Sequence, residues 1–504
     1  MKLVNRESDF HFNRNDYFLI QIKRNLIVSW MLKNIYIRGM LFNSFVFLVF
    51  FLVFFIIYWA IPSSRLKWQN VVLWLASYIF YGWWDWRYLA LIAGASLVSY
   101  GGGKLMEKLP SYRKVVLTGV VIFHIAMLAW FKYAGFFVNS AIAALQSLGV
   151  EVHAWSLQIA LPVGISFFTF QSMSYAIDVY RKKLKASSHL IEYLAFISFF
   201  PQLVAGPIER ATNLLPQIEK PRFFDGHKAG LGMQLILWGL IKKMLIADSC
   251  APIVQHVFSH ISDSSAADLW WAALLFAVQI YCDFSAYSEM AMGLALLLGF
   301  QLMQNFNYPY FAANIKSFWK RWHISLTTWF KDYVFLPLGG SRVSGSKLVF
   351  NVIIVFALSG LWHGANYTFV VWGLYHALLY LVFVLWLESS QFSLPKGLSV
   401  AVTFFLVLLG WIFFRAPTIG DAMQYFQGMF LSNAKVGFVT WDAKLAVILL
   451  LLLGFEAWNR NQLFGLDFNP KLRQPVRWAI YMVLLTTWLI YGHFEEVSFI
   501  YFDF

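Results

Sequence analysis

The apolar residues of this chain come in long blocks separated by short polar breaks. Residues 41–62 read LFNSFVFLVFFLVFFIIYWAIP without one charged side chain. At ~1.5 Å per residue, a helix of that length crosses the ~30 Å of a bilayer's hydrocarbon. Residues 69–84 and 87–101 predict a close helix pair across the polar break at 85–87, and residues 115–137 predict the next span beyond the basic loop 104–114. Residues 161–178 (LPVGISFFTFQSMSYAID) contain Pro162, Gly164, Ser166, Thr169 and Gln171, a poor lipid-facing helix. Such backbone is tolerated at depth only against protein or a water-filled cavity. Basic residues Arg181, Lys182, Lys183 and Lys185, and a second basic stretch at 210–228, flank residues 191–207. Both basic loops cannot be cytoplasmic if that segment crosses, so, broken by Pro201 and Gly206, it is expected to be re-entrant. Residues 231–250 predict a further membrane segment despite Lys242 and Lys243, and residues 268–302, with Asp283 and Glu289 in the middle, predict a helix pair or one helix broken near 283–288. Residues 399–414, 445–458 and 476–492 complete the series. The pattern predicts an all-α polytopic membrane protein with about eleven membrane segments plus re-entrant and interfacial helices.

Two histidines stand out against this background. Read as one helix, residues 315–333 place Ile315, Trp319, Trp322, Leu326, Trp329 and Tyr333 on one face and Lys316, Lys320, Arg321, Thr327 and Lys331 on the other. That pattern predicts a helix in the membrane interface, with His323 at the edge of the apolar stripe near headgroup level. Residues 349–362 carry no charge, so His363 is expected at membrane depth, where a titratable ring calls for a reason. Two readings of His363 stand: a neutral imidazole that takes a proton from a hydroxyl or thiol, or a structural histidine hydrogen-bonded to a neighbouring helix. Gly360 and Gly364 let other groups approach it closely. His323 is either a second functional group or an interfacial histidine. Asp283 and Glu289, with Ser285 and Ser288, read as an ion path of a transporter or as acids paired with Lys242, Lys243 or Lys320. His376, on the next predicted helix, reads as structural support.

Composition narrows the class. With 60% apolar, 19% aromatic and 13% charged residues, a soluble globular fold is excluded in favour of a polytopic one. The net charge of +14 would suit nucleic acid, yet the basic residues sit in short loops between apolar runs, as cytoplasmic anchors and anionic-lipid contacts do. Membrane lipids, not nucleic acid, are the expected partners. Cys250 and Cys282 have no metal or disulfide spacing and read as buried small hydrophobes; no metal site is expected. No GxGxxG, P-loop, GxSxG or HExxH pattern occurs. Residues 1–39 are polar, mixed in charge and without a secretory signal pattern, and are expected to be an extension outside a single membrane domain at 40–504.

Several longer motifs follow one another in order: MLFNSFVFL from Met40, ASYIFYGWWDWRY from Ala76, LPVGISFFTFQSMSY from Leu161, FFPQLVAGPIER from Phe199, YCDFSAYSEMAMGLALLLGF from Tyr281, FWKRWHISLTTWFKDYVFLPLGG from Phe318 and LSGLWHGANYTFVVWGLYHA from Leu358. From Met40 to Phe504 the chain resembles the membrane-bound O-acyltransferases, and within them the bacterial branch that acylates cell-envelope polymers. The resemblance implies a multi-pass protein of the bacterial inner membrane that moves acetyl from cytoplasmic acetyl-CoA toward an extracytoplasmic polysaccharide such as alginate or peptidoglycan. It makes His363 the match of the family's principal catalytic histidine and His323 that of its second one. It also implies an extracytoplasmic partner, an acetyltransferase like the SGNH hydrolases, acting on the polymer. The tail FIYFDF at 499–504 resembles an aromatic C-terminus in which a tyrosine, here Tyr501, relays the acyl group; its other reading is an aromatic tail in the interface. Lys316, Lys320, Arg321 and Lys331 are then the expected anchors for the phosphates of CoA. Alternatives within the family are another acyl group, such as D-alanyl, or a lipid or protein acceptor.

Overall fold

The computed structural model describes residues 40–150, 159–388, 390, 394–431, 441–460, 462, 465, 466, 473–494, 497, 499 and 500. The chain divides into a unit of residues 1–41, nearly all of it outside the described set, and a second unit, Phe42–Phe504. Among the described residues every regular element is helical and lies in the second unit.

Helix α1 (Phe45–Ala60) starts on Ser44, whose side chain accepts the amide of Phe47. It buries Phe47, Phe51, Phe54 and Tyr58 on one stripe and leaves Phe45, Val53 and Ile56 exposed on the other, as a lipid-facing helix should. Pro62 forces Ile61 into an extended conformation, and the chain turns by 103° toward α2 (Leu66–Gly82). Asp85 caps the next break by accepting the amide of Arg87, and α3 (Leu89–Lys108) follows. Then α4 (Arg113–Leu128) continues through a π turn, Ala129–Tyr133, into α5 (Ala134–Ser147). Helix α6 (Ile165–Tyr180) is buried on nearly every face, which accounts for its polar content.

The segment expected to be re-entrant is a broken pair, α7 (Leu190–Ser198) and Phe200–Leu203, with the break at Phe199. At ~1.5 Å per residue α7 covers roughly half the hydrocarbon thickness. The two basic loops that flank it meet: the guanidinium groups of Arg181 and Arg210 lie 5.5 and 4.5 Å from the centroid of the Tyr333 ring. Loops on opposite sides of a membrane could not do this.

Helices α8 (Gly226–Leu240) and α9 (Asp248–Ser259) are joined through a π-helical stretch, Ile241–Ala247. They pack against α10 (Ala266–Leu297), which is one helix of 32 residues, opened by a capping box between Ser265 and Asp268. The pair or break expected near 283–288 is absent because the acids there have counter-ions. Lys242 Nζ lies 2.6 Å from Glu289 and 2.9 Å from Ser285 Oγ. Lys243 Nζ lies 2.8 Å from Asp248 and 2.9 Å from Asp283. A paired carboxylate can sit inside a continuous helix. These ion pairs leave the transporter reading without free acids to support it.

An antiparallel pair follows, α11 (Gly345–His363) and α12 (Tyr367–Val382), then α13 (Lys396–Arg415), the amphipathic helix Ile419–Leu431, α14 (Ala443–Asn459) and α15 (Gln474–Tyr491). Seven helical stretches among the described residues are long and apolar enough to cross a membrane, and the bent pair α1 and α2 would make an eighth. The expectation of about eleven also counted shorter or more polar pieces such as α14 and α15. After α15 the chain turns back into the bundle: His493 donates its amide to Met244 O at 3.0 Å, and Ile500 donates its amide to Asp283 Oδ2 at 2.7 Å.

Lys242→Met should destabilise the fold by ~3–5 kcal/mol, because Glu289 then stays buried without its counter-ion. Lys242→Met combined with Glu289→Leu should recover most of that loss. Thermal unfolding of the detergent-solubilised variants checks the pair; equal melting of the single and double variants would contradict it.

Candidate functional site

The expected single helix over residues 315–333 is two short helices, Ile315–Trp319 and Ile324–Phe330, with His323 at the break in the left-handed conformation (φ 42°, ψ 55°). Its backbone is drawn out of helical geometry by the segment beside it. Ile324 donates to Asn305 O at 2.8 Å, and Asn307 donates to Arg321 O at 3.0 Å. The apolar stripe read as membrane-facing is instead core: Trp319, Trp322, Leu326 and Trp329 are all buried, and Trp329 stacks on Phe170 of α6 at 3.9 Å. His323 is therefore not at headgroup level but enclosed, at 1% exposure.

Asn305 fixes the state of that ring. Its Oδ1 accepts from the amide and the hydroxyl of Ser325 at 3.3 and 2.9 Å, while its Nδ2 donates to Ser288 Oγ at 3.1 Å. The Oδ1 is thus the acceptor, and the nitrogen 3.0 Å away, His323 Nδ1, carries the proton. The tautomer leaves Nε2 with its lone pair, buried and without a hydrogen-bond partner among the described residues. His323 lies in the connection between spanning helices, and burial holds its pKa well below the ordinary imidazole range, down to about 3, so the ring is neutral.

His363 is the last residue of α11 and 4% exposed. Its ring centroid lies 6.3 Å from that of His323, and the rings of Trp372 and Phe414 meet it edge-on at 5.1 and 5.2 Å. Close contact between α11 and α12 puts it there. A Cβ at Gly360 would run into the carbonyl of Phe369, and one at Gly373 into that of Phe356, so only glycine lets the two backbones touch. The glycines flanking His363 serve the neighbouring helix, and at Gly364 the ring of Phe369, rather than a ligand.

A cavity of about 90 Å³ lies against His363 and Trp362, walled by residues of the stretch Leu161–Phe167 and by Lys132. A larger one of about 440 Å³ shares Lys132 and Leu161 with it and is bounded by Asn366, Thr368, Phe414 and Arg415. The region is lined by apolar rings with a few polar groups, and among the described residues no cluster suited to a metal occurs.

His323 and His363 are thus brought together. His376 is fully buried between Trp319 and Trp372, with ring centroids at 5.1 Å from each. Neither of its nitrogens finds a partner among the described residues, so it contributes packing. The four expected anchors do not share one helix face. Lys316 is ion-paired to Glu388 at 2.6 Å, Lys320 and Lys331 are exposed, and the break at His323 separates Lys331 from the others. Tyr501 lies outside the described residues; the nearest described neighbour in sequence, Ile500, is buried. Two residues escaped the sequence reading. Asn305 carried no signal, but Lys132 did, as the lone charged side chain of residues 115–137.

A model of the membrane-bound O-acyltransferase family matches residues 104–416, which include both histidines. The chain belongs to the membrane-bound O-acyltransferase family. It is accordingly a multi-pass membrane O-acyltransferase. It is 40% identical over 447 residues to a probable alginate O-acetylase of Azotobacter vinelandii, covering 86% of this chain and 88% of that one. It is 34% identical to a peptidoglycan O-acetyltransferase of Helicobacter pylori, over 77% of this chain and 80% of that one. A teichoic acid D-alanyltransferase of Bacillus subtilis is 29% identical over 50% of this chain and 68% of its own length.

Asn305→Ala removes the acceptor that sets the tautomer and orientation of His323. Acyl transfer by the purified variant should fall by at least tenfold, and up to about 10²-fold if the ring shifts by an ångström. Turnover within twofold of the parent would show that the ring is held by its aromatic walls alone.

Proposed function

We propose that this O-acyltransferase carries acetyl from cytoplasmic acetyl-CoA to a cell-envelope polysaccharide outside the inner membrane, alginate or peptidoglycan being the polymers in its relatives' names. The observation that carries the chemistry is the pairing of two buried histidines, ring centroids 6.3 Å apart, one of them on the wall of a cavity at the end of a membrane helix. His363 is the general base. His323, neutral and tied to Asn305, orients the reacting groups. A base of this kind contributes typically ~10²–10⁴ in rate. The basic residues Lys316, Lys320, Arg321 and Lys331 offer charge to the phosphates of CoA, of which Lys316 would first have to leave Glu388.

On this reading Tyr501 receives the acetyl group and an extracytoplasmic acetyltransferase partner, like the SGNH hydrolases, passes it to the polymer. What supports a relay in the tail is the course of the residues just before it. Phe499 packs on Tyr287 and Phe284 with ring centroids 5.1 and 6.0 Å apart, and Phe284 packs edge-on against His323 at 4.6 Å.

His363→Ala should abolish CoA release from labelled acetyl-CoA while the protein still inserts and melts as the parent does; near-normal turnover would remove His363 as the base. Tyr501→Phe tests the relay separately. Mass spectrometry of the C-terminal peptide should find an acetyl adduct on the parent and none on the variant, and full polymer acetylation by the variant would exclude an obligatory relay.

A further inference from the structure

Three successive carbonyls at the C-terminal end of α11 receive donors from one short stretch of another helix. Tyr133 Oη donates to Leu361 O at 2.9 Å. Lys132 Nζ donates to Trp362 O at 2.5 Å and to His363 O at 3.3 Å. Both donors stand on the π turn Ala129–Tyr133, and π turns inside longer helices often mark functional positions. The end of a helix leaves its last carbonyls without partners inside the helix. Tyr133 and Lys132 supply them here and thereby fix the residue that bears the imidazole.

Lys132 does more than close the helix. An ammonium has three N–H donors, and two carbonyls take two of them. The Lys132 side chain stands on a wall common to both cavities, and His363 lines the smaller of them.

We infer that Lys132 is a catalytic residue that stabilises the oxyanion of the acyl-transfer step, and holds α11 by its end at the same time. The inference rests on the reading of His363 as the base. The acceptor hydroxyl gives its proton to His363 as its oxygen bonds to the thioester carbonyl carbon. The C=O π pair moves onto the carbonyl oxygen, and the third N–H of Lys132 donates to that oxyanion. When the pair returns, the C–S bond breaks, and the leaving thiolate takes the proton from the His363 imidazolium. Lys132 ends the cycle unchanged.

The test uses the full-length protein in detergent with acetyl-CoA and thiol release as the readout. Lys132→Met keeps the aliphatic stem and removes the donors; kcat should fall by about 10²–10³, the usual loss for one oxyanion donor, with KM for acetyl-CoA within threefold of the parent. Lys132→Cys should be equally slow and should regain turnover when 2-bromoethylamine converts it to an aminoethyl cysteine. The two native cysteines are buried, and the parent treated in the same way is the control. Turnover of Lys132→Met within threefold of the parent overturns the inference. So does an aminoethylated Lys132→Cys that mass spectrometry shows to be modified and that stays slow. Both variants should also melt below the parent, since both lose the donors to the carbonyls of Trp362 and His363; an aminoethylated Lys132→Cys that regains the parent's melting but not its turnover would leave capping as the whole role of Lys132 and overturn the inference. Failure of the underlying reading shows separately, as turnover retained in His363→Ala.

Discussion

A helix end buried in protein leaves its last carbonyl oxygens without partners unless other side chains supply them. The site of this protein depends on how that constraint is met at the end of α11. His363 occupies the terminal position, and the carbonyls of residues 361, 362 and 363 are closed by Tyr133 and Lys132. The backbone contact at Gly360 and Gly373 then leaves α11 no room to rotate against α12. Orientation of the ring follows from these contacts, with the walls of Trp372 and Phe414 completing it.

The same rule governs charge. Lys242, Lys243, Asp248, Asp283 and Glu289 are ionisable groups at membrane depth, and each faces an opposite charge within 3 Å. Two of the pairs, through Glu289 and Asp283, join α10 to the stretch between α8 and α9. Asp283 also accepts the amide of Ile500, so a carboxylate that first looks like a transport residue belongs to the seating of the last described residues of the chain.

Much of this was legible in the sequence, for reasons that differ by element. Long apolar blocks specify helices at membrane depth through composition alone, and the polar content of residues 161–178 called for either protein or a water-filled cavity around α6, of which the structure shows protein. His363 stood out because a titratable side chain after a long uncharged run calls for a reason, and the structure encloses it at the end of α11. The neighbourhood of His323 was misread because its 3.6-residue periodicity is real on both sides of a break that periodicity cannot register. The break is made by residues 305–307, distant in sequence, whose backbone and side chains bond to residues 321–325. Likewise the expected interruption of α10 rested on the cost of isolated carboxylates, whereas their partners come from another helix. Lone residues such as Asn305 acquire their role only through such tertiary contacts, and nothing local marks them.

The π turn at Ala129–Tyr133 has a consequence for how this site can vary between related chains. A π turn is in effect an α-helix carrying one extra residue. Losing a single residue from this stretch would restore ordinary helical winding, leaving the flanking helices in phase but taking from the residues within the turn the directions that the bulge gives them. Neither Lys132 nor Tyr133 would then face the end of α11, although both side chains would still be encoded. The geometry around His363 is thus written partly in the number of residues that precede it, and a relative can keep every side chain of the site yet lose the site through one deletion.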